Sequence, residues 1–152
     1  MKKIVSIMMV LVLSLALTAC GGKEQSVTYT METESDGLKM TDTMTLNAKG
    51  DKVQNMTEVI ALDLTGFDEA TQAALVEVYG AIIDQYNSVE GVECSAESGE
   101  GSYTITISID ATGDAVSQLA DMGLLQVEGN ADTLSLSATG DALEASGYSL
   151  AE

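Results

Sequence analysis

Tyr103, Ile105, Ile107 and Ile109 alternate without a break against Thr104, Thr106 and Ser108. Large apolar residues at every second position bury one face together only in a pleated strand, because side chains at i and i+2 point the same way. The same period recurs along the chain. Val27, Tyr29 and Met31 oppose Thr28, Thr30 and Glu32, and Leu38, Met40, Met44 and Leu46 oppose Lys39, Thr41, Thr43, Thr45 and Asn47. Asp42 is the one acid on the apolar side of that second run. Residues 52–64 read as a longer strand of weaker period, and Val92, Cys94 and Ala96 alternate with Glu93, Ser95 and Glu97. Turn signals separate the runs at Ser35-Asp36-Gly37, Lys49-Gly50-Asp51 and Ser98-Gly99-Glu100-Gly101. Consecutive strands joined by such short turns form an antiparallel meander.

One long segment breaks the period. In residues 67–88, Leu75, Tyr79, Ile82, Ile83 and Tyr86 recur at helical spacing and share one face. Its start has two candidate caps, Thr65 with Asp68 three residues on, or Asp68 itself; its exit is set by Asn87-Ser88 and Gly91. Asp68, Glu69, Glu77 and Asp84 have no Lys at i+4, so packing on the sheet must hold the helix. A short helix is expected over 113–122 and a loop over 123–132, with a short strand at 124–127. A last strand is expected over 133–138, from the spacing of Leu134 and Leu136. Ala138-Thr139-Gly140-Asp141-Ala142-Leu143 nearly repeats Ala111-Thr112-Gly113-Asp114-Ala115-Val116. Two copies that each follow a strand and open a helix read as helix-start turns capped by Thr, ahead of the alternative of a duplicated ligand loop.

The first residues are built differently. Lys2 and Lys3 precede an apolar run from Ile4 to Leu17, too short for the roughly 20 residues of a membrane-spanning helix. The run ends in Leu17-Thr18-Ala19-Cys20. The pattern resembles the bacterial lipobox, which implies cleavage before Cys20 and a diacylglycerol on its sulfur. Residues 1–19 are then a lipoprotein signal peptide, 20–26 the lipidated cysteine and a short tether, and 27–152 one domain on the extracytoplasmic face of the cell membrane. The mature part has four lysines, no arginine and all 24 acidic residues, a net charge of −20. That balance argues against nucleic acid, which is gripped by Lys and Arg. It also repels anionic headgroups, so the body is expected to stand off the membrane while acyl chains hold it there.

The candidate sites are few. With Cys20 lipidated, Cys94 is the remaining thiol, no internal disulfide can form, and its strand parity places it on the core face. The chain has no His, Arg, Trp or Pro, which removes the usual proton shuttle and zinc ligand and argues against an enzyme. Met31, Met40, Met44 and Met56 could converge as thioether ligands for copper(I), but they read first as core fillers. Carboxylates at Glu97 and Glu100, and at Asp110 and Asp114, are the seats a calcium ion would use, though neither matches the 12-residue calcium loop. A carboxylate-only enzyme is the remaining alternative, and no sequence feature forces two carboxylates together. No cofactor is implied. An envelope protein or a small ligand is left as the possible partner, and oligomeric state is left open.

Lys49-Gly50-Asp51-Lys52-Val53, Glu90-Gly91-Val92, Ile107-Ser108-Ile109-Asp110 and Leu143-Glu144-Ala145-Ser146-Gly147-Tyr148, in this order around one long helix and behind a lipobox, resemble the YehR-like bacterial lipoproteins. The present chain is more acidic than that family and poorer in Lys. The resemblance implies an α+β envelope domain and transfers no catalytic residue. The fold expected is therefore α+β: a mostly antiparallel sheet of five to seven strands packed on one long helix plus one or two short helices. The function expected is that of a membrane-anchored, non-catalytic binding or structural module, with calcium binding as the alternative.

Overall fold

A computed structural model describes residues 22–126 and 134–151. The expected signal peptide, Cys20 and most of the 124–132 segment lie outside the described residues. Strands β1 (Glu24–Ser35), β2 (Leu38–Lys49) and β3 (Lys52–Asp63) form the meander. Helix α1 (Glu69–Asn87) follows, then β4 (Val92–Gly99), β5 (Ser102–Asp110), α2 (Ala115–Asp121), α3 (Leu136–Ala145) and the two-residue β6 (Ser149–Leu150). The strands make one antiparallel sheet in the order β4-β5-β3-β2-β1-β6. The α+β fold is as expected.

Strand parity sorts the sheet into two unlike faces. Tyr29, Met44, Leu46, Met56, Leu62, Cys94, Tyr103, Ile105, Ile107 and Ile109 are buried in one core cluster, which Leu75, Tyr79, Ile83 and Tyr86 of α1 and Val116 and Leu119 of α2 join. The rings of Tyr79 and Tyr103 meet with centroids 6.2 Å apart, an edge-tilted aromatic contact. The opposite face carries no helix among the described residues. Across it the register aligns Thr28, Thr45, Thr57 and Ser108 in one row and Thr30, Thr43, Val59, Thr106 and Ser95 in the next.

The weak period of β3 has a local cause. Asn47 pairs with Asn55 and Ala48 with Val53, so Gln54 is the extra residue of a β-bulge. Val53 and Met56, three apart, therefore both point into the core. Asp68 is the cap of α1, its carboxylate accepting from Thr71 N at 2.8 Å. At the other end Asn87 turns back onto the edge strand: its Nδ2 donates to Cys94 O and its Oδ1 accepts from Cys94 N, both at 2.8 Å. The side-chain amide thus does for β4 what a neighbouring strand's backbone would.

Four expectations are corrected. Glu24, Gln25 and Ser26, expected in the tether, pair with Lys49, Ala48 and Asn47. Leu124 to Gln126 carry no strand. The strand expected over 133–138 is instead the start of α3, with Ser135 as its cap and a single bridge from Ser135 to Lys52. The alternation Leu134-Ser135-Leu136 is too short to outweigh Leu136, Gly140 and Leu143, which follow at helical spacing.

The repeated sequence, finally, serves two unlike purposes. In the first copy Thr112 donates to Asp110 ahead of α2 and caps nothing, Asp114 being the cap residue. The second copy lies within α3, where Gly140 faces the Tyr29 hydroxyl so closely that a Cβ there would collide with it.

Candidate functional site

The sheet brings two carboxylates together in the core, between β2, β3 and the C-terminal segment. Asp42 is 5% exposed and is the one buried charged residue among those described. On the next strand Glu58 lies diagonally across, since Asp42 pairs with Ile60 and Met44 with Glu58. Its parity with Met56 and Leu62 aims it into the same core. Tyr148, just before β6, donates its hydroxyl to Asp42 Oδ2 at 2.8 Å. Asp42 Oδ1 has no hydrogen-bond partner, and an unpartnered buried carboxylate oxygen is costly.

Burial raises the Glu58 carboxyl to about 7, and the negative Asp42 beside it adds to the rise. A proton on Glu58 supplies the donor that the pair lacks. The surroundings respond in the same sense. Burial pushes the Tyr86 phenol up to about 12, with Glu58 next in effect, while its hydroxyl donates to Leu124 O at 3.0 Å. Burial and the hydrogen bond to Asp42 raise Tyr148 as well. Burial, then Glu58, raises the Cys94 thiol, which keeps it protonated and a poor nucleophile.

This arrangement holds a proton and ties the C-terminal segment to the middle of the sheet. The other residues singled out from the sequence do not join it. Cys94 is buried on β4. Met40, Met44 and Met56 pack in the core among Leu and Ile side chains. Glu97 and Glu100 are exposed, and Asp110 Oδ1 is occupied by Thr112 N and Oγ1 at 2.8 and 2.6 Å. Among the described residues no three His, Cys, Asp or Glu side chains gather in a way that could hold a metal ion. An open groove of about 410 Å³ beside β4 is lined by Asn55, Glu90, Glu93, Ser108 and Asp110, among others. Sequence reasoning singled out Asp42 but missed Glu58 and Tyr148. The parity of Glu58 with Met56 was the available signal for the first.

The geometry defines a class: an α+β domain built on one antiparallel sheet that, among the described residues, is covered on a single face, with a protonatable acid pair inside. Residues 25–149 match the family described as "Protein of unknown function (DUF1307)", and the chain belongs to that family. The chain is 25% identical over 154 residues to the uncharacterized lipoprotein Lmo0207 of Listeria monocytogenes, covering 97% of this chain and 95% of that one. It is 26% identical over 112 residues to the uncharacterized lipoprotein Lin0239 of Listeria innocua, covering 74% and 71%. The fold is similar to that of the Escherichia coli YehR protein, with a TM-score of 0.62 at 17% identity over 86% of this chain and 93% of that one. A protein from Streptococcus pneumoniae is similar with a TM-score of 0.53 at 16% identity, covering 92% of each. The domain is thus YehR-like, and its relatives are lipoproteins, which implies membrane anchoring.

Proposed function

We propose that the protein is an extracytoplasmic lipoprotein, held in the membrane by acyl chains on Cys20, that acts as a non-catalytic module of the cell envelope and offers its bare sheet face to a macromolecular partner. The observation that carries this reading is the one-sided sheet. Its helix-covered face is filled by side chains, whereas the other face is a polar, Thr-rich surface five strands wide. The lipobox, the lipoprotein relatives and the absence of His and Arg from the chain support the same reading.

Two measurements test it. Cys20→Ala should abolish fatty-acid labelling and move the folded protein out of the membrane fraction; a variant that still pellets with membranes and is still labelled refutes the anchor. A photo-crosslinking residue at Thr43 or Thr106 should trap one discrete species in intact cells, whereas the same residue at the exposed Val78 of α1 should not. Equal capture from both faces refutes the role given to the sheet.

A further inference from the structure

The C-terminal segment depends on one side chain more than on its strand. Gly147, at φ 103°, turns the chain out of α3, and Tyr148 leads directly into the two residues of β6. Ser149 and Leu150 are exposed and pair with Thr30 and Tyr29, while Ala151 N donates to Thr28 O at 2.9 Å. A ladder this short has little stability of its own. The deep attachment is the Tyr148 hydroxyl, which passes over β1 to reach Asp42 on β2.

Asp42 is comfortable in the core only while both of its oxygens are served. Tyr148 donates to Oδ2, and Oδ1 has no partner unless the Glu58 carboxyl, within hydrogen-bonding reach, brings a proton. Around the pair stand Tyr86 from α1, Cys94 from β4, the uncharged Met31 opposite Asp42 on β1, and Tyr29, on which Asp141 and Glu144 of α3 act. No lysine is among the charges that act on Glu58, Tyr29, Tyr86, Cys94 or Tyr148. A proton is therefore what neutralises the pair, and Glu58 is only partly buried, so that proton can exchange with solvent. Burial and the negative Asp42 raise the Glu58 carboxyl from 4.5 to about 7. The proton's support for the closed arrangement is thus full below about pH 4.5 and lost as pH rises through about 7.

Once the proton leaves, two anions face each other and Asp42 Oδ1 needs water. The covering groups differ in how readily they yield. Strands β2 and β3 are each paired on both sides, and Tyr86 is tied to Leu124 O. Tyr148 is backed only by the short, exposed β6. We infer that Asp42, Glu58 and Tyr148 form a proton-operated clasp: a proton shared by the two carboxylates keeps Tyr148 docked, and its loss frees residues 148–151 to swing out about Gly147. The swing uncovers the backbone of β1 at Thr28 to Thr30, an edge of the kind to which an extended segment adds as a strand.

Hydrogen exchange of the full chain in non-ionic detergent tests the clasp, with rates converted to protection factors to remove the intrinsic effect of pH. The Ala151 amide should lose protection at least about tenfold between about pH 5 and about pH 8. Its exchange should be insensitive to low urea, as a local opening requires. Glu58→Gln, which carries a permanent donor, should hold Ala151 protected at both pH values. Tyr148→Phe should leave it poorly protected at both, while Ile107 in the middle of the sheet stays protected and reports that the variant is folded. Ala151 protection that does not change with pH, or that follows Ile107 under every condition, overturns the inference, since the segment then opens only with the whole domain. A wild-type response that persists in either variant overturns it too. The clasp works whether or not Cys20 carries lipid, so its failure leaves the proposed anchor untouched.

Discussion

Replacing Glu58 with Gln should flatten the dependence of stability on pH. In the folded chain the Glu58 carboxyl keeps its proton up to about pH 7, against an ordinary value of 4.5. Between these two values the folded state binds a proton that the unfolded state has released. The stabilisation is therefore fully present below about pH 4.5 and is lost as pH rises through about 7. Two and a half pKa units at ~1.4 kcal/mol each correspond to about 3 kcal/mol, a large part of a small domain's stability. Glutamine has the shape of the protonated acid and retains a donor for Asp42, but it cannot ionise. Every other charge is common to both proteins, so the difference between their curves isolates this one group. Urea denaturation at constant ionic strength should give nearly equal stabilities at about pH 4.5 and a variant more stable by about 3 kcal/mol at about pH 8. Curves that stay parallel across that window would mean that Glu58 takes up no proton on folding, and the account of the acid pair would fail. The exposed Asp51, Asp63, Asp68 and Asp110 are all lowered by hydrogen bonds. They act below about pH 4, outside this window.

Three further outcomes follow from the packing. Gly140→Ala should destabilise by about 1–3 kcal/mol through collision with the Tyr29 hydroxyl, whereas Gly80→Ala, with open space around the new methyl in α1, should stabilise by about 0.5–1 kcal/mol; paired chemical melts check both, and equal effects would contradict the close approach of α3 to β1. Cys94 should react slowly with a thiol reagent in the native soluble Cys20→Ala protein and fully in urea, and equal rates would place it at the surface. Magnesium and calcium at matched ionic strength should raise the melting temperature alike, as screening requires; a saturating shift with micromolar calcium alone would reveal a specific site.

The strands were legible because Tyr103, Ile105, Ile107 and Ile109 obey a strict period and because Gly37, Gly50 and Gly101, all at positive φ, punctuate the turns. Helix α1 was legible from a second period and from Asp68. What failed did so where one short string satisfied two structures. Leu134-Ser135-Leu136 has strand parity and also a serine placed to cap a helix. The paired Ala-Thr-Gly-Asp strings differ only in what packs on the glycine, the tyrosine ring of β1 at Gly140 and open space at Gly113. The acid pair was half visible. Asp42 stood out on a regular strand, while Glu58 sat beyond a bulge that had already blurred the period of β3.

The clasp of Asn87 on Cys94 also bears on crowding. Proteins confined to a plane meet their neighbours far more often than the same number free in solution, and exposed strand edges are where such meetings turn into intermolecular sheet. On β4 the two backbone groups of Cys94 are already spoken for, so an incoming strand must either dislodge the carboxamide or leave a gap in its ladder. One asparagine at the end of a helix thereby guards this edge against pairing with a second copy of the chain.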